Sequence, residues 1–447
     1  MIIRITAILL TLVLTMGVMC SCNDTDDDDD RDFLESNEKE DDNDEDEQDS
    51  SEEEEESSSK KSTAAPDSNR VMAKDLPNYE FVISKDTPSS IVRIVERISA
   101  VSKQKWGTNG EVKTDDYKSP SKNNFEILIG ETNRTESKSF VSTLKSGEGG
   151  YAIKNNKIVI AGYGEEEMMS ALNMFYNSVM LFYPLRKTVF LTSKDNVKQD
   201  LSDYVSIMSF NVYVGIESDS AKKANAINLI RTYNPDVFGV QEASAPWQDT
   251  LKQEFSGDYH IVGTGRDGNG NGEAMLIFAR KSRFNIKSSG TKWLTSTPNV
   301  VSKVETSACN RVATYAVIER ISDGQIFNYI NTHLDHMGGQ DEQAGYLCDI
   351  ISNNTQVMYP TFVSGDFNVF PDSSAVKKMT DNGYSISYEI ADKNYSTGAG
   401  TLGAKAIIDY LFVKSGRGVD VLTYRVCNEG FYGESSDHFA LITVMRF

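Results

Sequence analysis

Glu242, His333, Asp366, Asn368, Asp409, Asp437 and His438 stand in short polar clusters: Gln241-Glu242, His333, Gly365-Asp366-Phe367-Asn368, Asp409 and Ser436-Asp437-His438. VFGV precedes the first, IFNYINT the second, TFVS the third and AII the fourth. Each cluster therefore reads as the end of a buried strand, where a rigid scaffold presents reactive groups on loops. Carboxylates dominate the set, joined by two histidines and an asparagine, a combination that suits a hard, oxygen-ligated cation.

The elements that position these groups alternate between strand and helix patterns. VSIMSFNV at 205–212 opens the series, followed by a helix near 219–233, the strand VFGVQE and a helix from Pro246 to Phe255. YHIVGTG, EAMLIFAR, RVATYAVIER and QIFNYINTHL read as strands, then a helix at about 340–355 precedes PTFVSGDFN, AIIDYLFV, VLTYRV and HFALITVMRF. Many of these strands are joined by short turns, which predicts an α/β class with mixed, mainly antiparallel sheets. The alternation in F-N-Y-I-N predicts helices on one face and a second sheet on the other.

A separate small α+β domain is expected at 72–195, joined by a linker at 196–204. Ile91, Ile94, Val95 and Ile98 recur at helical spacing within SSIVRIVERISAVSKQ, with Ser89 or Ser90 as the cap. FEILIG, YAIK and KIVIAG read as strands, with Asn155-Asn156 as a tight hairpin turn. A helix over 165–182 follows, its acidic first turn suited to the helix dipole. Glu126, Glu131, Asn133 and Arg134 read as solvated charges at a strand-end turn. The stretch from FEILIGETNR to the helix resembles the small domain that precedes the catalytic domain in several carbohydrate-active enzyme families, which makes the unit an accessory one, with sugar binding as one reading.

Ahead of it, Arg4, an apolar run from Ile5 to Val18 and Met19-Cys20-Ser21-Cys22 form an export signal over residues 1–22. Ser21 before Cys22 resembles a bacterial lipobox, which makes Cys22 the expected lipidation site, with Cys20 second; a plain cleaved signal or an uncleaved anchor are the alternatives. Residues 23–71 are expected to be a disordered acidic and serine-rich spacer. The part from Asn23 to Lys61 holds 22 Asp or Glu against four Lys or Arg, so most of the net charge of -21 is local to it. The remaining cysteines, Cys309, Cys348 and Cys427, are too few and too widely spaced for a disulfide framework.

The clusters of residues 205–447 resemble, in order, the signatures of the endonuclease/exonuclease/phosphatase (deoxyribonuclease I-like) superfamily. These are SFNV with Asn211, GVQE with Glu242, GEAMLIFAR with Glu273, NRVATYAVIE with Arg311 and NTHLDH with His333. GDFN with Asp366 and Asn368, IDYLF with Asp409, and SDH with Asp437 and His438 complete them. The resemblance implies a four-layer α/β sandwich and a magnesium-dependent hydrolase of phosphate esters, with manganese as the alternative ion. It makes Glu242 the principal metal ligand, aided by Asn211 and Asp437. Asp366 and Asn368 orient or deprotonate the attacking water; His333 and His438 hydrogen-bond the phosphate; Glu273 pairs with His333 and Asp409 with His438; Arg311 clamps the phosphate. Within NTHLDH, Asp335 and His336 sit beside the site in sequence, with alternation expected to send such neighbours to opposite faces, and His260 reads as structural.

A phosphate-ester substrate is the implied partner, with no obligate protein partner and membrane attachment only through the N-terminal lipid. Residues 201–447 carry 27 acidic against 21 basic residues, a balance that disfavours tight nucleic-acid binding. Lipid headgroups, inositol phosphates and nucleic acids all stay open as substrates. A surface binding protein with a glycan-recognising accessory domain and an inert hydrolase fold is the reading from another class.

Overall fold

In the strand Tyr204–Asn211 side chains alternate between two cores: Val205 and Ile207 enter one, Met208 and Phe210 the other. That double burial marks a strand covered on both faces. The structure is a computed structural model and describes residues 69–181, 188–396, 400–403, 406–414, 418–428 and 434–447.

Two mixed sheets carry the C-terminal half. The seven-stranded one runs Tyr259–Val262, Ala274–Arg280, Val237–Ala243, Tyr204–Asn211, Leu441–Arg446, Asp420–Val426, Lys393–Asn394. The six-stranded one runs Phe284–Trp293, Val312–Arg320, Ile326–His333, Thr361–Asp366, Asp409–Lys414, Tyr384–Ile386. Most pairs are antiparallel, but Val237–Ala243 lies parallel to Tyr204–Asn211, and Ile326–His333 parallel to Thr361–Asp366. The inner faces meet where Val205, Ile207, Val237 and Ile277 pack on Ala316, Ile318, Phe327 and Phe362. Helices Ser220–Tyr233 and Ala245–Phe255 cover the outer face of the larger sheet, while Gln340–Asn354 and Ser374–Asp381 seat Leu347, Ile351, Val376 and Met379 on the smaller. Helix, sheet, sheet, helix gives the four layers.

Phe284–Trp293 is a strand that sequence patterning does not reveal. It occupies the sheet edge and is half exposed along most of its length, so FNIKSSGTKW needs few apolar residues and is held by its ladder to Val312–Arg320.

N-terminal to these sheets, a six-stranded sheet runs Val112–Thr114, Glu80–Ile83, Glu126–Ile129, Lys157–Gly162, Glu148–Lys154, Val197–Asp200, with helices Ser89–Trp106 and Glu165–Phe175 packed on it. Asn155 and Asn156 both take positive φ, 47° and 61°, which the tight hairpin requires. Within the stretch expected to be a linker, Val197–Asp200 is a strand paired with Glu148–Tyr151. The expected helix 165–182 is α-helical to Phe175 and continues as a π turn over Tyr176–Met180. Met180 and Phe175 share one core with Met208, Phe210 and Tyr233, and Tyr176 meets the Tyr233 ring edge-on at 5.6 Å. The described residues thus form one compact unit.

Glu126 and Arg134 are not solvated. Both are fully buried and paired at 2.8 Å, with Lys157 at 3.5 Å from Glu126 and 3.1 Å from Glu136. Two carboxylates against two cations leave no uncompensated charge inside the sheet, the condition under which buried ions persist.

The expected signal, Cys20 and Cys22, and the spacer as far as Ser68 lie outside the described residues. Order begins earlier than expected, because Arg70–Met72 pairs with Val189–Thr192. Among the described residues no helix is long and apolar enough to cross a membrane. Cys309 and Cys348 are half-buried free thiols, and Cys427 is buried.

Candidate active site

The parallel strand pairs of both sheets end side by side. Asn211 stands opposite Gln241 in one sheet; in the other His333 faces Asp366, which in turn faces Asp409 across the antiparallel neighbour. Gly365 permits the approach of Thr361–Asp366 to Ile326–His333. Its φ is +156°, and a Cβ there would sit 2.2 Å from the Thr332 carbonyl oxygen. No side chain fits, so the residue before Asp366 must be glycine.

Beneath the site lies a buried polar floor between the sheets. Gln241 Nε2 donates to Asn331 Oδ1 at 2.6 Å and to Ser209 Oγ at 3.1 Å, and Asn331 Nδ2 donates to the carbonyls of Val240 and Leu276, both at 2.9 Å. Tyr329 and Ser364 hydroxyls share a hydrogen bond of 2.6 Å. Gln241 therefore bolts one sheet to the other, and only its neighbour Glu242 reaches the site. Interior networks of this kind fix the relative position of the layers that carry them, here with Gln241 Oε1 left without a partner.

Asn211 sits at the centre of the site. Its Oδ1 accepts the Tyr213 N–H at 3.0 Å, which turns Nδ2 toward Glu242 Oε1 at 2.9 Å and Asp366 Oδ2 at 3.0 Å. The amide expected to offer an oxygen to a metal instead donates to two carboxylates and holds them together. Glu242 takes a left-handed φ of 60°, and its Oε2 accepts the Val214 N–H at 2.8 Å. A non-glycine residue held in that region stores strain of the kind found at functional sites. Asn368, with φ 51°, donates from Nδ2 to His333 Nε2 at 2.9 Å and to the Leu334 carbonyl at 3.0 Å.

The two histidines are in opposite charge states. Burial disfavours the His438 cation, but Asp409 at 2.8 Å from Nδ1 and Asp366 at 3.7 Å from Nε2 outweigh it and push the imidazole up to about 10. His333 is held well below its ordinary value, first by burial and then by the positive charge of Arg311. It is therefore neutral at physiological pH, accepting from Asn368 at Nε2 and carrying its proton on Nδ1, which is buried with no partner. Asp366 is raised by burial and by the neighbouring Asp409 carboxylate.

Glu242, His333 and Asp366 bring one ligand atom each within 4.8 Å of one another, as do Asp366, Asp409 and His438. The first group fits a divalent cation. It offers two carboxylates from different sheets, and Asp366 is buried beside like charge that a cation would offset. Asp437 belongs to neither group; it is exposed on the open side, where its carboxyl is raised by burial of one face and by the charge of Glu242.

Two expectations need correction. Glu273 does not pair with His333: both its oxygens are taken by Arg266, at 2.6 and 2.9 Å. The Arg266 N–H donates to the Glu273 carbonyl, so the glycine-rich turn between them folds back on itself and sets that pair. Asp335 does not face away. The strand stops at His333, and Asp335 turns inward, fully buried, where it accepts the backbone N–H groups of Ala308, Cys309 and Met337 and lies 3.3 Å from Arg311 Nε. The guanidinium is also 3.3 Å from His336 Nδ1, and its Nη1 is buried without a partner. The sequence reading misses Asp335 as the holder of Arg311; counted from His333, period-two alternation puts Asp335 on the same face, and that is the signal that could have found it. His260 lies on Tyr259–Val262, near the far edge of the larger sheet.

Two large apolar side chains, Met337 at 72% and Phe370 at 60% exposed, stand in solvent on the loops that follow His333 and Asn368.

Residues 208–438 match the Endonuclease/Exonuclease/phosphatase family. No curated protein matches the chain. Among solved structures, an endonuclease/exonuclease/phosphatase from Bacteroides vulgatus is similar at 26% identity and a TM-score of 0.51, covering 55% of this chain and 99% of that one. A family protein from Bacteroides thetaiotaomicron is similar at 25% identity and a TM-score of 0.50, covering 55% and 98%.

Proposed function

The chain belongs to the endonuclease/exonuclease/phosphatase family, and from that premise we propose that it is a divalent-cation-dependent hydrolase of phosphate esters, with Asp366 as the base and His438 as the acid. One observation carries the reading: the Asp366 carboxyl and the charged His438 imidazole face each other 3.7 Å apart at the joined ends of two sheets. Burial makes Asp366 more basic than an ordinary carboxylate, and the Asp409 charge keeps His438 protonated, so the first suits the base and the second the acid.

In this reading the water oxygen attacks phosphorus while Asp366 takes its proton. The bond from phosphorus to the leaving oxygen breaks, and His438 delivers its proton to that oxygen. Asp409 holds the His438 ring by Nδ1 and supports its charge. Asn368 exchanges its bond to His333 for one to a phosphoryl oxygen, which frees His333 Nε2 toward the substrate, and Arg311 presents its fork to the phosphoryl group. Glu242 is the principal carboxylate for magnesium or manganese, with Asp366 beside it and Asp437 on the open side. When bound, the ion supplies positive charge that polarises the phosphoryl oxygen.

The test is hydrolysis of bis(p-nitrophenyl) phosphate and p-nitrophenyl phosphate with magnesium or manganese, and with EDTA. Folded protein that turns over neither ester with either ion would leave a binding protein on a hydrolase fold. Plasmid DNA, RNA, sphingomyelin and inositol phosphates then separate the substrate classes. The exposed Met337 and Phe370 beside the site favour esters with an apolar portion over nucleic acid, as does the acidic balance of residues 201–447.

We also place the enzyme outside the cell, tethered through a lipid on Cys22 and held off the membrane by the acidic run. Metabolic labelling with an alkyne fatty acid is expected to mark the wild type and not Cys22→Ala; label that survives that change and disappears with Cys20→Ala would move the anchor.

A further inference from the structure

The helix Glu165–Phe175 passes into a π turn as it reaches the outer face of the seven-stranded sheet, and a cleft of about 260 Å³ opens there. The turn is closed by Leu181 N–H on the Tyr176 carbonyl, and the Asn177 carbonyl it turns outward accepts Arg425 at 2.9 Å. π turns within helices recur at functional sites.

Three amide side chains in this cleft are underused. Asn177, 6% exposed, gives its Nδ2 to the Asn173 carbonyl at 2.9 Å, and Asn173 gives its own Nδ2 to the Asn234 carbonyl at 3.1 Å. Those bonds hold both amides against the wall, and each is left with a buried Oδ1 that accepts nothing. Gln199 points its Nε2 at the Met174 sulfur, 3.1 Å away and a weak acceptor. An unsatisfied buried acceptor costs about 1–3 kcal/mol, so two in one cleft call for a ligand that brings donors. Tyr151 and Tyr204 add aromatic rings to the same walls.

We propose that this cleft is a binding site for a neutral polyhydroxylated ligand, a sugar ring, separate from the active site. On binding, the two Asn amides turn from the wall toward the cleft so that hydroxyl donors answer their oxygens, the Gln199 amide gains a better acceptor, and the C–H face of a ring packs on tyrosine. The volume accommodates one or two such rings. Ser206 lines the cleft at the start of the strand that ends in Asn211, so at about 3.3 Å per residue the two sites lie roughly 17 Å apart. Nothing in the proposal depends on the hydrolytic chemistry.

The experiment is saturation-transfer NMR and calorimetry on the full mature chain, using methyl α-mannoside, methyl β-galactoside, methyl β-glucoside, N-acetylglucosamine and myo-inositol. Saturable binding of at least one is expected at about millimolar affinity, as few contacts on a small ligand allow. Asn177→Leu and, independently, Gln199→Leu should each weaken it about tenfold while the rate on bis(p-nitrophenyl) phosphate stays unchanged. Gln199→Leu, on the edge strand Val197–Asp200, guards against an Asn177 variant that fails to fold. The idea is overturned if none of the probes binds saturably, or if binding survives both folded variants, in which case the cleft holds ordered water only.

Discussion

His438 Nδ1 lies 2.8 Å from Asp409 Oδ2, while Nε2 of the same ring lies 3.7 Å from Asp366 Oδ2. Asp409 thus holds the ring from behind and leaves the other nitrogen for chemistry. Its charge is a main reason that the imidazole is raised from 6.5 to about 10. Asp409→Asn keeps the shape and removes that charge, so the His438 proton is lost at lower pH. The alkaline limb of kcat/KM against pH should move down, and the rate near neutrality should fall about 10²- to 10⁴-fold. An alkaline limb in the same place in both proteins would remove His438 from the acid role. The stability contribution has the same sign: present below 6.5 and lost as pH rises toward 10.

Asp366 separates activity from stability. It is buried beside Asp409, and its charged form is disfavoured there. Asp366→Asn relieves that repulsion, keeps an acceptor for the Asn211 amide and deletes the base. Turnover should fall by about three orders of magnitude or more, while Tm in the absence of metal stays level or rises, as is common where a strained site is neutralised. Thermal melts and phosphodiester assays on one preparation check both halves; a Tm drop equal to that of a core truncation would make Asp366 a structural residue.

Strand-end clusters are legible in a sequence because a short apolar run with a polar terminus is a local pattern. Asn211, Glu242, His333 and Asp366 close or adjoin such runs. Asp409 instead opens the strand Asp409–Lys414, so AII is not the strand that carries it, and His438 precedes Leu441–Arg446; the structure gathers all six. Local pattern fails once the partner comes from elsewhere. Glu126 and Arg134 look like solvent-facing charges until Lys157, from the neighbouring strand, joins them in the interior. Glu273 looks like a partner for His333 until the turn returns Arg266 to it. For Asp335 the local pattern does not name the partner either: the strand stops at His333, and Arg311 comes from another strand end. The π turn at Tyr176–Met180 leaves no mark in the helical period, and the floor beneath the site could not be foreseen from Gln241 without Asn331 across the gap.

Glu242 is predicted to act on the cation, not on the fold. Glu242→Gln preserves size and one oxygen for the Val214 N–H but removes a charge from the metal group. The magnesium concentration for half-maximal rate should rise at least about tenfold, with part of the rate restored by excess ion. Titrating magnesium against rate for both proteins is sufficient, and an unchanged midpoint would transfer the metal role to Asp366 or Asp437.

Asp335 is expected to set both the aim of Arg311 and the acid limit of the protein. It is fully buried, and despite that burial its carboxyl is held well below the ordinary range by the N–H groups of Ala308, Met337 and Cys309 and by the Arg311 charge. A depressed carboxyl contributes stability that is complete above its unfolded value of 3.8 and is lost as pH falls below it toward the folded one. Asp335→Ala leaves a buried guanidinium without its counter-ion and should cost about 3–5 kcal/mol at neutral pH. Asp335→Asn keeps the shape and should cost less, while Arg311, no longer pulled by a charge, loses its fixed aim and KM rises more than kcat falls. Urea melts at pH 7 and pH 3 provide the check, since the gap between wild type and Asp335→Asn should narrow as the wild-type carboxylate approaches protonation. A gap that widens on acidification would mean that Asp335 is not the group whose ionisation holds this loop.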